Sequence, residues 1–245
     1  MKFTKHLANE QIINKVKELK NSLMREGSHG FDRYGTIKIV EAISKEKEDY
    51  KNGKNAAISL VGVVLGANRN WEKVVQPNLN CLGKRFPNLT FHELKNMLSE
   101  MDWKEFKDVW GHRDEKKYHV LSNLMIQILR YKEKNSKLND LDLMEKWVKE
   151  FDLKMLYSDH EHYKEFPGSI KNIGIATFQH LRLTYGVDTV KPDQRVKEVL
   201  RKEFGLKLSD KNAILAVEEI AKITNNNINV IDKIFVKYGS GYYRQ

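Results

Sequence analysis

Apolar residues recur at three- and four-residue intervals along most of the chain, and this spacing constrains the fold more than any other sequence feature. Near the N-terminus, Ile12, Val16, Leu19 and Leu23 follow it and predict an amphipathic helix over about residues 8–25. The same spacing predicts further helices at about 36–50, 71–82, 114–132, 140–150, 175–185, 193–204, 211–224 and 228–238. No strands with a hairpin partner are indicated, so the predicted fold class is all-α.

The secondary structure of two segments cannot be predicted from periodicity alone. The stretch AAISLVGVVLGA at residues 56–67 is apolar on every side, which is typical of a buried strand or a buried central helix. We predict a helix, because the neighbouring segments are helical. Thr90 and Glu93 have the spacing of a capping box, in which each side chain pairs with the backbone N–H of the other residue. A short helix is therefore predicted to begin there.

The charge of the chain favours a polyanionic partner. Its 245 residues contain 43 Lys and Arg against 33 Asp and Glu, which gives a formal net charge of +10. A field of this sign attracts nucleic acid, so nucleic acid is the first partner to consider. The alternative is that the excess charge serves only solubility.

Cysteine usage and hydropathy exclude several other classes. Cys81 is the single cysteine, so no internal disulfide and no zinc or iron–sulfur cluster can be built from cysteines of this chain. The longest apolar run, residues 56–67, is too short to span a bilayer. We expect a soluble cytoplasmic protein. His160, Glu161 and His162 suggest a metal site, but spacing supplies no third ligand, so a solvated loop is favoured.

The segment Ile170–Gly174 precedes a predicted helix and has the composition of a tight turn. Ile170 and Ile173 can anchor such a turn, with Asn172 and Gly174 at its bend. The N–H groups at the start of the following helix would then attract an anion such as DNA phosphate. An ordinary connection between two helices is the alternative.

The wider context resembles the helix-hairpin-helix (HhH-GPD) DNA glycosylase superfamily, the endonuclease III-like enzymes. In that family a hairpin of the form Leu-Pro-Gly-Val-Gly-x-Lys-Thr-Ala precedes a helix, a glycine and an apolar stretch ending in Val-Asp-x-His-Val. The matching residues are Ile170, Ile173, Gly174, Thr177, Gly186, Thr189, Val190, Asp193 and Val196. Weaker likeness at residues 60–68, 111–116 and 234–243 extends the resemblance over roughly residues 53–243.

The resemblance implies two helical lobes. Residues 52–187 would form a helical barrel domain that ends in the helix-hairpin-helix element at about 169–185. Residues 1–51 and 188–245 would form a second helical lobe, with Asp193 at a cleft between them. Only 4 prolines and no Gly/Ser-rich linker are present, so the lobes would pack directly on each other. The implied protein is a monomer that acts on double-stranded DNA.

Asp193 is the catalytic candidate. Cleavage of an N-glycosidic bond builds positive charge on the sugar, which a fixed carboxylate stabilises, or the carboxylate orients water toward C1′. The structural alternative is an N-cap, since Asp193 follows Lys191-Pro192 and precedes the predicted helix at 194–204. The two roles are compatible.

Departures from the family pattern limit the chemistry. Ala176 stands at the lyase lysine position, so no amine is available there to attack the sugar, and a monofunctional glycosylase is implied. A displaced lysine, Lys171 or Lys191, remains an alternative. Asn172 replaces a hairpin glycine, but Asn tolerates a left-handed backbone. Tyr243 stands at the first cluster cysteine, so no iron–sulfur cluster is expected.

Several further residues are DNA-contact candidates by resemblance. Asn68 would probe or replace an extruded base, and His112 with Arg113 would form a minor-groove wedge. The predicted contacts to the DNA backbone are Lys171, Asn172, Ile173, Gly174, Ala176, Thr177 and Lys191. Main-chain carbonyls of Gly168, Ile170 and Ile173 would hold a Na⁺ or K⁺ ion. Exposed Asn and Arg residues of loops are, alternatively, simply solvated.

Three functions are therefore compared. The first is a DNA glycosylase that removes a damaged or mismatched base, in repair or in restriction of foreign DNA. The second is a non-catalytic helix-hairpin-helix DNA-binding protein, and the third is a helical interaction module whose basic surface is incidental. No motif selects among uracil, thymine opposite guanine, oxidised purines and alkylated purines.

Overall fold

A computed structural model describes residues 3–28, 30–51, 55–152, 155 and 166–243. Within these residues the regular structure is helical and contains no strand, which confirms the all-α class. The helices are α1 (Asn9–Asn21), α2 (Phe31–Tyr34), α3 (Ile39–Lys51), α4 (Ala56–Leu65), α5 (Gln76–Arg85), α6 (Phe91–Glu100), α7 (Trp103–Trp110), α8 (Glu115–Lys134), α9 (Asp140–Lys149), α10 (Ile175–Thr184), α11 (Gln194–Phe204), α12 (Asp210–Ile223) and α13 (Ile228–Ser240). None of the helices in the described ranges is long and apolar enough to cross a membrane.

The chain divides into two compact units. Residues 1–53 and 188–245 form one unit, so both ends of the chain belong to it, and residues 54–187 form the other. We call them the terminal unit and the central unit.

The central unit is built around α4. Eight of its ten residues are buried, from Ala56 to Leu65, because helices α5, α6, α8, α9 and α10 pack around it. The apolar run at 56–67 is therefore a core helix, as predicted from its helical neighbours. Tyr185, at the end of α10, is fully buried and donates its hydroxyl hydrogen to the carbonyl oxygen of Ala56 at 2.7 Å. This contact joins the last helix of the unit to the first turn of α4.

The terminal unit is built around α13, which contacts α1, α3, α11 and α12. Ile231, Ile234 and Phe235 supply its buried face. Helix α11 approaches α13 closely at Gly239, where an added Cβ would lie 2.7 Å from the carbonyl oxygen of Arg195. Only a residue without a side chain permits that approach.

Local capping signals explain several helix starts. Thr90 accepts from the backbone N–H of Glu93 at 3.2 Å and its own N–H donates to Glu93 Oε2 at 2.8 Å, which confirms the predicted capping box. Asp102 and Glu105 form a second capping box, at the start of α7. Helix α7 was not predicted, although this pair has the same spacing as Thr90 and Glu93.

The structure refines other boundaries. The predicted helix at 71–82 is instead a π-helical turn, Trp71–Val75, followed by α5. Pro77 lies in the first turn of α5, where its missing N–H is tolerated. Residues 27–35, between the predicted helices at 8–25 and 36–50, contain the short helix α2. The histidines considered for a metal site, His160 and His162, lie outside the described residues.

Candidate nucleic-acid interface and catalytic carboxylate

The segment Ile170–Gly174 forms a tight turn. The N–H of Ile173 donates to the carbonyl oxygen of Ile170 at 3.0 Å, and Asn172 between them has a φ of 74°. That left-handed conformation is costly for most residues but tolerated by Asn. Ile170 and Ile173 are buried and anchor the turn, whereas Lys171 and Asn172 are exposed at its tip.

Helix α10 begins directly after this turn, at an open N-terminus. Its N-cap is Gly174, and no described side chain accepts a hydrogen bond there. A Cβ added at Gly174 would meet nothing within 4 Å. Backbone N–H groups at a helix start with no acceptor of their own can bind an anion. The predicted contacts Ala176 and Thr177 lie in this first turn and are partly exposed.

Of the three residues of the predicted cation site, Gly168 precedes the turn, and Ile170 and Ile173 lie within it. The carbonyl oxygen of Ile170 already accepts the N–H of Ile173, which leaves it one further lone pair. Gly168 is part of a short 3-10 turn, Pro167–Ser169, that leads into the turn at 170–174. The stretch preceding Phe166 lies outside the described residues, so the structure describes the turn and the second helix of the predicted motif.

Asn68 lies in an exposed turn after α4, with a left-handed φ of 56°. A lysine from α8 holds this turn. Lys117 is 9% exposed, and its Nζ donates to the carbonyl oxygens of Leu65 at 2.7 Å and Ala67 at 2.6 Å, with Val64 at 3.3 Å. The last carbonyls of a helix lack partners within the helix and carry partial negative charge. The ammonium group therefore caps α4 directly beneath Asn68.

Lys117 was missed in the sequence because it lies in the polar run Asp-Glu-Lys-Lys. It was nevertheless detectable. Lys117 precedes Val120, Leu121 and Leu124 at helical spacing, and all four residues lie on the buried face of α8. A lysine in phase with an apolar stripe indicates a buried amine.

The turn that contains His112 and Arg113 joins the Asn68 turn through charged side chains. Arg69 and Asp114 form an ion pair at 3.4 Å. Arg113 is exposed, but the ring of His112 packs edge-on against Trp110 with centroids 6.1 Å apart. Burial lowers the pKa of His112, and the positive charges of Lys117 and Arg69 lower it further. His112 is therefore neutral at pH 7, and Arg113 is the cation of the predicted wedge.

Trp71 and His180 connect the Asn68 turn to α10. Their rings are T-shaped with centroids 6.0 Å apart. Gly66 permits this contact, because a Cβ there would lie 3.2 Å from His180 Cε1 and 3.3 Å from Trp71 Cζ3. Three segments predicted to contact DNA thus lie together in the central unit: the start of α10, the Asn68 turn and the turn at 112–113.

Asp193 lies in the terminal unit, at the N-cap of α11. Its Oδ1 accepts from the backbone N–H groups of Arg195 at 2.9 Å and Val196 at 3.1 Å. Its Oδ2 accepts from Arg195 Nε at 3.1 Å and Nη2 at 2.8 Å. The N-cap alternative is thus observed. The two carboxylate oxygens together accept four hydrogen bonds, about as many as a carboxylate can accept.

A buried carboxyl group supports the turn that precedes Asp193. Asp232 of α13 is 4% exposed and accepts the N–H of Lys191 at 3.0 Å. Burial and the nearby charge of Asp193 raise the pKa of Asp232 to about 7. Burial also lowers the pKa of the Lys191 amine, against the opposing effect of Asp193. Lys191 is half-buried, so it is less accessible to DNA than Lys171.

Asp232 was also missed in the sequence. The pattern Ile-Asp-Lys-Ile at 231–234 places a single acidic residue beside two core positions, which is the only local signal. No protein-family model, curated protein or solved structure matches the chain.

Proposed function

We propose that this protein is a DNA glycosylase that removes a modified or mismatched base from double-stranded DNA by hydrolysis. The observation that supports this most is the clustering in the central unit. Three segments distant in sequence, each a candidate for DNA contact by the family resemblance, are joined by Lys117, by the Arg69–Asp114 ion pair and by the Trp71–His180 contact. The chain also has a net charge of +10, which suits a DNA partner.

Each segment has a distinct part in the proposed binding. The open N-terminus of α10 and the exposed Lys171 would bind backbone phosphate. Asn68, exposed on a turn held from below by Lys117, would occupy the space left by an extruded base. Arg113 would enter the minor groove. The Na⁺ or K⁺ site, the monomeric state and the cytoplasmic, nucleoid-associated location belong to the same proposal.

The proposed chemistry acts through Asp193. Water adds to the sugar C1′ as the C1′–N bond breaks; the departing base takes the bonding electron pair and a proton, and the added water loses a proton. Positive charge develops on the sugar in between. Asp193 already accepts four hydrogen bonds from protein groups, two of them from the Arg195 guanidinium, so in this proposal the carboxylate would act by its charge. Acting as a base would require displacing Arg195.

A release assay tests this function. Duplexes containing uracil, thymine opposite guanine, an oxidised purine or an alkylated purine are incubated with the protein, and strand breaks are scored with and without alkali. Alkali-dependent breaks at one lesion, absent with Asp193→Asn, are expected. Salt-sensitive duplex binding without release from any lesion would instead indicate a non-catalytic DNA-binding protein.

A second candidate activity is strand cleavage by a lysine amine, as in a glycosylase with lyase activity. One observation favours it: burial lowers the pKa of Lys191, which increases its neutral, nucleophilic fraction. The amine would attack C1′, expel the base and form an imine. Borohydride reduces such an imine and leaves a covalent protein–DNA complex.

Borohydride trapping distinguishes the two activities and the two lysines. Lyase activity predicts a trapped complex and strand breaks without alkali. The complex is then lost in Lys191→Gln or in Lys171→Gln, whichever of the two removes the nucleophile. If the wild type releases a base and no complex forms, hydrolysis by water remains.

A further inference from the structure

We propose that Asp232 is a positioning residue for base release: through its hydrogen bond to Lys191 it fixes the turn that presents the Asp193 carboxylate. This inference rests on the proposed function. It assigns a role in the reaction to a residue 39 positions from Asp193 in sequence, on a different helix.

The backbone of Lys191 is held on both sides. Its N–H donates to Asp232 Oδ1 at 3.0 Å, and its carbonyl oxygen accepts the N–H of Asp193 at 2.7 Å. Asp193 is therefore separated from the Asp232 carboxyl group by a single hydrogen-bonded residue. Pro192, which is buried and has a restricted φ, completes a turn with little freedom.

Helix α13 holds the same segment at two further points. Asp188 accepts the N–H groups of Ile228 at 3.2 Å and Asn229 at 2.9 Å, and so caps the start of α13. At the other end of α13, Gly239 lies against the carbonyl oxygen of Arg195. The segment is thus attached to α13 before, within and after the Asp193 turn.

The burial of Asp232 is unfavourable unless the carboxyl group has a partner. An apolar residue at position 232 would suit the neighbouring core residues Ile231 and Phe235, but it would leave the Lys191 N–H without its acceptor. The hydrogen bond from Asp232 therefore stabilises the turn at 191–193. Loss of the acceptor should loosen this turn while the core of α13 remains packed.

The experiment measures single-turnover base release at saturating DNA, and the Kd of the DNA complex separately. Asp232→Asn keeps an oxygen that can accept from Lys191. Asp232→Leu has similar volume and no acceptor, and Asp232→Ala is a second variant without one. Asp140→Ala is the matched control, because it removes a carboxylate that accepts a backbone N–H, that of Phe91 at 2.8 Å, in the central unit and away from the Asp193 turn.

We expect Asp232→Leu or Asp232→Ala, whichever is folded by circular dichroism and urea titration, to slow release at least about 30-fold, with Kd within about threefold of wild type. Asp232→Asn should stay within about fivefold of the wild-type rate, and Asp140→Ala within about twofold. Wild-type release in a folded variant without the acceptor overturns the inference. So does an Asp232→Asn rate as low as that of Asp232→Leu, since the hydrogen bond would then not be the cause. Failure of the wild type to release any base contradicts the proposed function instead.

Discussion

Helices α10 and α11 both follow a tight turn, yet their N-termini are built in opposite ways. Helix α10 begins at Gly174, has no described side-chain cap and is exposed at its first residues. Helix α11 begins at Asp193, whose carboxylate caps two N–H groups and pairs with Arg195. A helix start has partial positive charge, which attracts anions. The start of α10 can therefore bind an anion from a partner, whereas the start of α11 already holds the Asp193 carboxylate.

This difference suggests a separate part for each turn in the proposed function: phosphate binding at α10 and base release at α11. An uncapped helix start forgoes local stability, which is consistent with a surface that receives phosphate from a partner. At α11 the anion belongs to the protein and is held by four hydrogen bonds. The carboxylate is therefore already oriented, and in the proposed mechanism its charge acts without further reorganisation.

Removal of the charge at α11 should have the largest effect. Asp193→Asn keeps one oxygen that can accept from Arg195 and Val196, so the helix cap and the fold should persist. Loss of the negative charge should lower the single-turnover rate about 100- to 1,000-fold, the usual range for one group that stabilises transition-state charge. Unchanged release would show that the capped carboxylate is only structural. DNA binding by this variant should equal that of the wild type.

Burial of Asp232 should make the terminal unit sensitive to pH. Its pKa is raised from 3.8 to about 7, and the charged groups around it are Asp193, Lys191 and Arg195. The folded state therefore binds the proton more tightly than the unfolded state, and the resulting stabilisation, complete below about pH 4, is lost as pH rises through 7. Urea titrations from pH 5 to 8 should show wild type losing on the order of 2 to 3 kcal/mol relative to Asp232→Asn. Parallel pH curves would contradict this.

A side chain at position 239 should disrupt the close packing of α11 against α13. Gly239→Ala places a Cβ 2.7 Å from a backbone oxygen of Arg195, so one helix must shift. We expect a loss of about 2 kcal/mol in the free energy of unfolding, as for overpacked sites, and slower base release. Gly83→Ala in α5 is the matched control, because its Cβ would make an ordinary 3.6 Å contact with Ile58 Cδ1. Equal effects of the two substitutions would rule out the contact as the cause.

The smallest effect is expected from a substitution that gives α10 the acidic N-cap that α11 has. Gly174→Asp adds a capping carboxylate where the backbone is already extended and space is open. It should raise stability by about 1 kcal/mol and weaken duplex binding about tenfold, since the added charge would repel phosphate. Gly174→Ser caps without charge and should weaken binding less. If Gly174→Asp binds DNA as well as wild type, phosphate does not contact α10.

Much of the secondary structure was predictable because its signals lie within a few residues. The capping box of Thr90 and Glu93 spans four residues, and the turn at 170–174 depends on two apolar anchors and a residue that tolerates a left-handed backbone. Helix α7 was overlooked although Asp102 and Glu105 supplied the same signal as Thr90. The capping signal for α7 was therefore present in the sequence.

The groups around the candidate sites were less accessible to sequence reasoning. Lys117 contacts a carbonyl 50 residues away, and Asp232 contacts an N–H 41 residues away. A lysine or aspartate on a helix is usually exposed, so neither residue type predicts burial. Each of the two residues is buried because its side chain pairs with a backbone group of a distant segment: Lys117 with the carbonyl of Ala67, and Asp232 with the N–H of Lys191.

Local patterns were enough to predict the all-α class, most helix boundaries, the tight turn before α10 and the position of Asp193 at the start of a helix. These features depend on periodicity and on hydrogen bonds between residues two to four positions apart. The packed fold was needed to show that Lys117 caps the helix before Asn68, that His112 packs against Trp110 and that Asp232 accepts the N–H of Lys191. Such contacts form when several helices pack together, and the packing depends on the shapes of all of them at once.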